Sequence, residues 1–192
     1  MITKTLSSGK DIIILDDIFS IEDVVSYEEY AMRCLYSLKA STSSRFNTRS
    51  NDELFFGADL SQEDLNRFNI FNNREFQKIS NIFTGSSMLR SWILCTAPLT
   101  KYLYHADHKS DAGLTFLYYL NTFWHPEWGG ETLFCDKAGD PEIAIACKPN
   151  RAVIFPSNVL HKPSGTSCDA RLRFTFTSTF LKNEINTNVW RT

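Results

Sequence analysis

From Trp92 onward, apolar residues recur at every second position in short runs rich in aromatic and β-branched side chains: WILCTAPL, GLTFLYYLN, ETLFC, EIAIACKP, RAVIFPS and RLRFTFTSTF. Gly, Pro, Asn and Asp separate the runs, so each reads as one strand bounded by turns. A series of this kind points to an antiparallel sandwich or barrel. The last run alternates most clearly. Leu172, Phe174, Phe176 and Phe180 share one face, and Arg171, Arg173, Thr175, Thr177 and Thr179 share the other, which would line a polar cavity. The expected fold class is mainly β, with flanking helices packed on the outer face of one sheet.

The helices are expected upstream. Ile12 to Leu15 reads as an opening strand. Ser20-Ile-Glu-Asp23 then offers an N-cap before the helix-compatible run VVSYEEYAMRCLYSLKA, and Ser61-Gln-Glu-Asp64 offers a second start before Leu65, Phe68 and Phe71 or Phe76. The connection SSRFNTRSNDELFFGAD reads as polar, and segment 41–59, with Arg45 and Arg49, as a lid. At 192 residues and 43% apolar the chain suits a single domain, divided into a helical support region (1–91) and a stranded region (92–182). Its 20 basic and 22 acidic residues leave a charge of −2, which speaks against a nucleic-acid partner. The N-terminal apolar run of four is too short for a signal segment or a membrane span, so a cytoplasmic protein without membrane contact is expected. Five widely spaced cysteines, none in a C-x-x-C pair, argue against both a disulfide framework and a thiolate zinc site.

His105-Ala-Asp107 is the chemically pointed stretch. On a strand, residues two apart project to one side, so the imidazole and the carboxylate would reach one ion. Two His and one carboxylate on one octahedral face leave three positions open on Fe(II). His108, His125 and His161 are the candidates for the third ligand. His108 points away if the strand continues, and His125 sits in the loop-like FWHPEWGG. His161 follows a strand and turn, 54 residues after Asp107, room for about four short strands. The rival pair His125-Pro-Glu127 has a proline in mid-strand and ranks below. On the polar face of the last run, Arg171 is suited to fork onto a distal carboxylate, with Arg173 as its rival. Tyr119 and Tyr102 are hydroxyl donors able to reach the same carboxylate if their strands are neighbours. Trp124 and Trp128 read equally as a substrate wall or as packing, Glu131 as a strand cap, and His108 and His125 as solvated.

The ordered set H-A-D, YYLN, W-G-G-E-T-L-F, NVLHKPSGT and R-L-R-F-T-F resembles the iron(II)/2-oxoglutarate-dependent oxygenases, in particular their prolyl 4-hydroxylase-like branch. The resemblance spans roughly Trp92 to Phe180, and the opening DIIILDDIFSIEDV is similar to the start of that branch. It implies a double-stranded β-helix, or jelly roll, with His105, Asp107 and His161 as catalytic iron ligands. It also implies Arg171 and Tyr119 on the distal carboxylate of 2-oxoglutarate, and Tyr102 in the pocket lining. Arg173 departs from the branch, which more usually has a small or neutral residue there. The retained carboxylate of Asp107 disfavours the halogenating variants. The implied reaction couples oxidative decarboxylation of 2-oxoglutarate to succinate and CO2 with hydroxylation of an amino-acid or peptidyl substrate, prolyl being the branch's commonest. Fe(II), 2-oxoglutarate, O2 and ascorbate are the implied cofactors, and a small molecule or peptide the implied partner. The competing functions are a cupin-like barrel that binds a metal or metabolite without turnover and a nucleic-acid dealkylating oxygenase that flips its base. An arginine anchor for a dicarboxylate separates the first from the oxygenase reading.

Overall fold

A computed structural model describes residues 1–41, 53–100 and 102–183. In chain order the strands are β1 (Ile2–Thr5), β2 (Asp11–Asp16), β3 (Ser37–Ser41), β4 (Glu53–Asp59), β5 (Ser86–Thr96), β6 (Gly113–Tyr119), β7 (Thr132–Cys135), β8 (Pro141–Ile145), β9 (Arg151–Pro156), β10 (His161–Pro163) and β11 (Arg173–Lys182). The helices are α1 (Ile21–Arg33), α2 (Gln62–Phe68) and α3 (Arg74–Gln77). Eight strands form a major sheet in the order β1-β2-β9-β6-β11-β5-β4-β3, and β10-β7-β8 form a small sheet facing it. Every pairing is antiparallel. The architecture is the jelly roll, mainly β as expected.

Strand alternation produces two cores from one sheet. Phe116, Tyr118, Ile154, Phe174 and Phe176 leave one face of the major sheet to meet Tyr27, Phe68 and Phe76 from the helices. Leu117, Tyr119, Val153 and Phe155 leave the other face to meet Phe134 and Ile145 of the small sheet. The first core holds the helices on the sheet; the second closes the barrel that carries the polar residues described below.

All six period-two runs contain a strand, but the N-terminal half is less helical than its pattern suggests. Helix α1 stops at Arg33 instead of running to Ala40, because Ser37–Ser41 pairs with β4 and extends the sheet. The tail of the polar connection, Glu53–Asp59, is likewise strand. Residues 42–52, with Arg45 and Arg49, lie outside the described residues, as does the lid reading placed on them. Strands β1 and β10 have no period-two signature, one being fully exposed and the other only three residues long. The 91/92 division falls inside β5, and the front region contributes β1 to β4 to the sheet as well as helices. Helix α2 ends at Asn69, whose φ of 58° is left-handed, so Phe71 and Phe76 reach the core from a turn and from α3.

Both helix starts carry the expected caps. Ser20 Oγ accepts from the Asp23 N–H at 3.1 Å, and Ser61 and Asp64 form a reciprocal capping box. Ser20→Ala is expected to cost about 1 kcal/mol, read as a Tm lower by about 3 °C in thermal unfolding. An unchanged Tm would mean that water replaces the cap without loss. No helix among the described residues is long and apolar enough to cross a membrane.

Candidate metal centre

His105 and His161 meet through one antiparallel bridge: the His105 N–H donates to the His161 carbonyl at 3.0 Å, and the His161 N–H returns the bond at 2.9 Å. The imidazoles consequently lie side by side, with ring centroids 4.6 Å apart. Asp107 joins them by a different route from the one expected. The chain bends after His105 instead of continuing as a strand, and three groups hold the bend. Arg90 Nη2 donates to the Asp107 carbonyl at 2.7 Å, the Thr115 hydroxyl donates to Asp107 Oδ2 at 2.7 Å, and the His108 N–H donates to the Ser157 carbonyl at 3.0 Å. Asp107 Oδ2 stands 3.6 Å from His161 Nε2, and Oδ1 4.0 Å from His105 Nε2. One ligand atom from each residue falls within 4.8 Å of the other two.

The protonation pattern suits a cation. Nδ1 of His105 lies 3.1 Å from the Leu103 carbonyl and Nδ1 of His161 3.0 Å from the Val159 carbonyl. A carbonyl only accepts, so the Nδ1 atoms carry the hydrogens and both Nε2 lone pairs are left facing Asp107. Burial pushes the His161 imidazole down to about 4, outweighing the attraction of Asp107, so the ring is neutral at neutral pH. The Asp107 carboxylate is buried and has no Lys or Arg ion-pair partner among the described residues. A buried carboxylate without a Lys or Arg partner among the described residues, beside the neutral His161 ring and the His105 imidazole, is suited to a cation, and the donor set suits Fe(II).

The polar side of β11 settles where the two arginines lie. Arg173 opens the strand and is 1% exposed, its guanidinium inside the barrel, 5.1 Å above the Tyr119 ring, with Nη2 3.5 Å from Thr132 Oγ1. Its Nε has no partner, it has no ion pair among the described residues, and the Oγ1 atoms of buried Thr96, directly across the strand pair, and Thr166 are also unpartnered. Room for this side chain comes from Gly130, where a Cβ would sit 3.1 Å from Arg173 Cδ and 3.1 Å from the Trp124 ring, at a φ of +78° that other residues resist. Arg171 is exposed, 6.0 Å from the Phe123 ring on the outer surface. Arg171 thus does not share the inward face with Arg173: the alternating strand begins only at Arg173, so its period does not reach back to 171, and Leu172 is exposed for the same reason.

Tyr119 is fully buried at the expected end of β6, its hydroxyl 2.8 Å from Thr132 Oγ1 and 3.3 Å from the Ile145 carbonyl; burial pushes its pKa up to about 12. Tyr102 is also buried and borders a cavity of about 370 Å3 whose wall includes Leu133, Lys162 and Thr166. His125 and Glu127 make a local turn, the Glu127 N–H donating to His125 Nδ1 at 3.3 Å, and His108 Nδ1 accepts from the Ser110 N–H at 3.0 Å. Glu131 ties down the loop at Ser164, its carbonyl accepting the Ser164 N–H at 2.7 Å. Trp124 and Trp128 pack edge to face at 5.3 Å, with Trp124 buried. Arg90, Thr115, Thr132 and Ser157 are contributors that the sequence reading passed over. The signal for Thr115 was present, since Thr115, Leu117 and Tyr119 share one face of β6 and a threonine is out of place in such a row.

Residues 91–180 match the family described as the 2OG-Fe(II) oxygenase superfamily, which spans the motifs that carried the resemblance. The fold is similar to an oxidoreductase of the 2OG-Fe(II) oxygenase family from Burkholderia pseudomallei, with a TM-score of 0.69 and 10% identity over 90% of this chain and 85% of the other. A prolyl-4-hydroxylase from Pseudomonas putida gives 0.63 and 15% over 90% and 92%. A prolyl hydroxylase from Trichoplax adhaerens, solved with a hypoxia inducible factor peptide fragment, gives 0.66 and 14% over 89% and 83%. No curated protein matches the sequence.

Proposed function

We propose that this chain uses Fe(II), 2-oxoglutarate and O2 to hydroxylate an amino-acid or peptidyl substrate, prolyl side chains among them, with release of succinate and CO2. The observation that carries the proposal is the buried guanidinium of Arg173, without an acidic partner among the described residues, on the same inward face of the major sheet as Thr115, which holds Asp107. A buried arginine without an acid is expensive unless an anion completes it. Tyr119 and Thr132 beside it add hydroxyls, so the deep end of the barrel suits one carboxylate of a dicarboxylate while His105, Asp107 and His161 suit the ion.

In this reading His105, Asp107 and His161 hold the iron, and Arg173, with Tyr119 and Thr132, holds the distal carboxylate of 2-oxoglutarate. Bound iron supplies the redox chemistry that couples reduction of O2 to oxidation of 2-oxoglutarate and of a substrate C–H bond. The chain orients and dries the site. The His161 ring is pinned between Phe155 and Phe134, at centroid distances of 4.7 and 5.9 Å; its Nδ1–H bond to Val159 fixes the tautomer, and burial keeps Nε2 unprotonated. Ascorbate enters only as an external reductant that keeps the iron ferrous. A cupin-like barrel without turnover has no use for Arg173, which is why the oxygenase reading is preferred. The prolyl hydroxylases among the structural neighbours support an amino-acid or peptide substrate.

Anaerobic titration of the metal-free protein with Fe(II) and then 2-oxoglutarate tests this. The expected result is a visible metal-to-ligand charge-transfer band that needs both additions and is lost in His161→Ala, followed by succinate formation on admitting O2. A folded, iron-loaded protein that shows no band would remove the co-substrate and leave a metal-binding barrel.

A further inference from the structure

Asp107 is held by a side-chain hydroxyl with no other evident task. The Thr115 hydroxyl, on β6 and fully buried, donates to Asp107 Oδ2 at 2.7 Å. Its oxygen also lies 3.1 Å from Ser157 Oγ, likewise fully buried. A threonine hydroxyl has one hydrogen; the nearer and charged acceptor, Asp107 Oδ2, takes it, and Ser157 Oγ is the more distant alternative acceptor packed against Thr115. The backbone locks both ends: Arg90 holds the Asp107 carbonyl, and the Ser157 N–H donates to the Gly113 carbonyl at 2.9 Å.

The Thr115 bond constrains the carboxylate in a definite way. Rotation about the terminal bond of Asp107 would swap its two oxygens, yet among the described residues only Oδ2 meets a hydroxyl, while Oδ1 has no hydrogen bond and turns toward His105. We infer that Thr115, backed by Ser157, is a positioning residue that fixes Asp107 as a one-oxygen ligand. Without that bond the carboxylate would be free to rotate or to chelate through both oxygens, changing both affinity and coordination number. The inference rests on the proposed ligand set of His105, Asp107 and His161, and it goes further by assigning Thr115 a task in metal binding beyond packing. Groups of this kind that orient metal ligands carry about ten- to a hundredfold in metal affinity.

The structure also supplies an internal control. Thr179, directly opposite Thr115 in the strand pairing, is the same residue type, fully buried on the same face, and its hydroxyl has no partner. Binding of Mn(II) to the metal-free full-length chain, followed by electron paramagnetic resonance, is the measurement, with the visible ligand-field bands of the Co(II)-loaded protein beside it. Thr115→Val is expected to weaken Mn(II) binding by about ten- to a hundredfold and to shift the Co(II) bands. Thr115→Ser should restore both, and Thr179→Val should bind within about twofold of the parent. Should Thr115→Val not fold, Thr115→Ala carries the same expectation. Equal loss in Thr115→Val and Thr179→Val, or Mn(II) affinity and Co(II) bands unchanged in a folded Thr115→Val, would overturn the inference. Absence of Mn(II) binding by the parent chain would strike the ligand set itself, a different failure.

Discussion

Arg173→Met is expected to raise the 2-oxoglutarate concentration needed for half of the charge-transfer band by more than about a hundredfold, and Arg171→Ala by less than about threefold. Stripping a buried carboxylate of its only cationic partner costs about 3–5 kcal/mol, and each 1.4 kcal/mol is a factor of about ten, which places the loss at a hundredfold or above. Arg173→Lys should fall between, because an ammonium keeps the charge and loses the fork. A second signature separates ligand binding from folding. In the ligand-free protein Arg173 is buried with Nε unpaired, and its contacts to Thr132, Cys147 and the Tyr119 ring include no acid. Replacing it with an apolar side chain of similar length should therefore leave ligand-free stability unchanged or raise it. Strong binding in Arg173→Met together with loss in Arg171→Ala would return the anchor to the outer surface and contradict the barrel geometry.

The arginine assignment shows how far the sequence could be read and where reading stops. Period two is a property of a strand, and RLRFTFTSTF displays it without a break, so both arginines share a face on paper. Where the strand begins is set by its neighbours. Arg173 is the first residue of β11 to pair with β5, at Thr96, and that partner lies 77 positions away in the chain. The clustering of His105, Asp107 and His161 was legible for a related reason. Four strands, β6 to β9, separate Asp107 from His161, as the spacing suggested, though the strand assumed through His105 and Asp107 is a single bridge and a bend. Register also explains the front half. Ser37–Ser41 has a helix-compatible composition but finds its hydrogen bonds on β4, a tertiary override that no local pattern reveals. Gly130 was visible as part of W-G-G-E, while its task, clearing space for Arg173, depends on a contact across 43 residues.

Phe176→Ala is the substitution expected to cost the fold most, about 3–5 kcal/mol, read as a Tm lower by about 10 °C or more. Phe176 is fully buried and stands on β11 between Thr175 and Thr177, with its ring toward the helices. It packs at 5.1 Å from Phe68, 5.6 Å from Phe71 and 6.2 Å from Phe116, so truncation opens a cavity where α2, the following turn and β6 converge. Those partners are aromatic rings anchored in separate elements and cannot all close in on the gap, which puts the loss toward the upper end for a core phenylalanine. Leu172→Ala, four residues earlier on a side chain 45% exposed, should stay within about 0.5 kcal/mol. Urea unfolding of both variants checks the pair, with the slope expected to hold and only the midpoint of Phe176→Ala to fall. Because the ring and the polar face of β11 point in opposite directions, the folded fraction of Phe176→Ala should bind Mn(II) with nearly the parent affinity. A variant that kept its midpoint, or that lost metal affinity while still folded, would show that the two faces of the major sheet are not the independent layers described above.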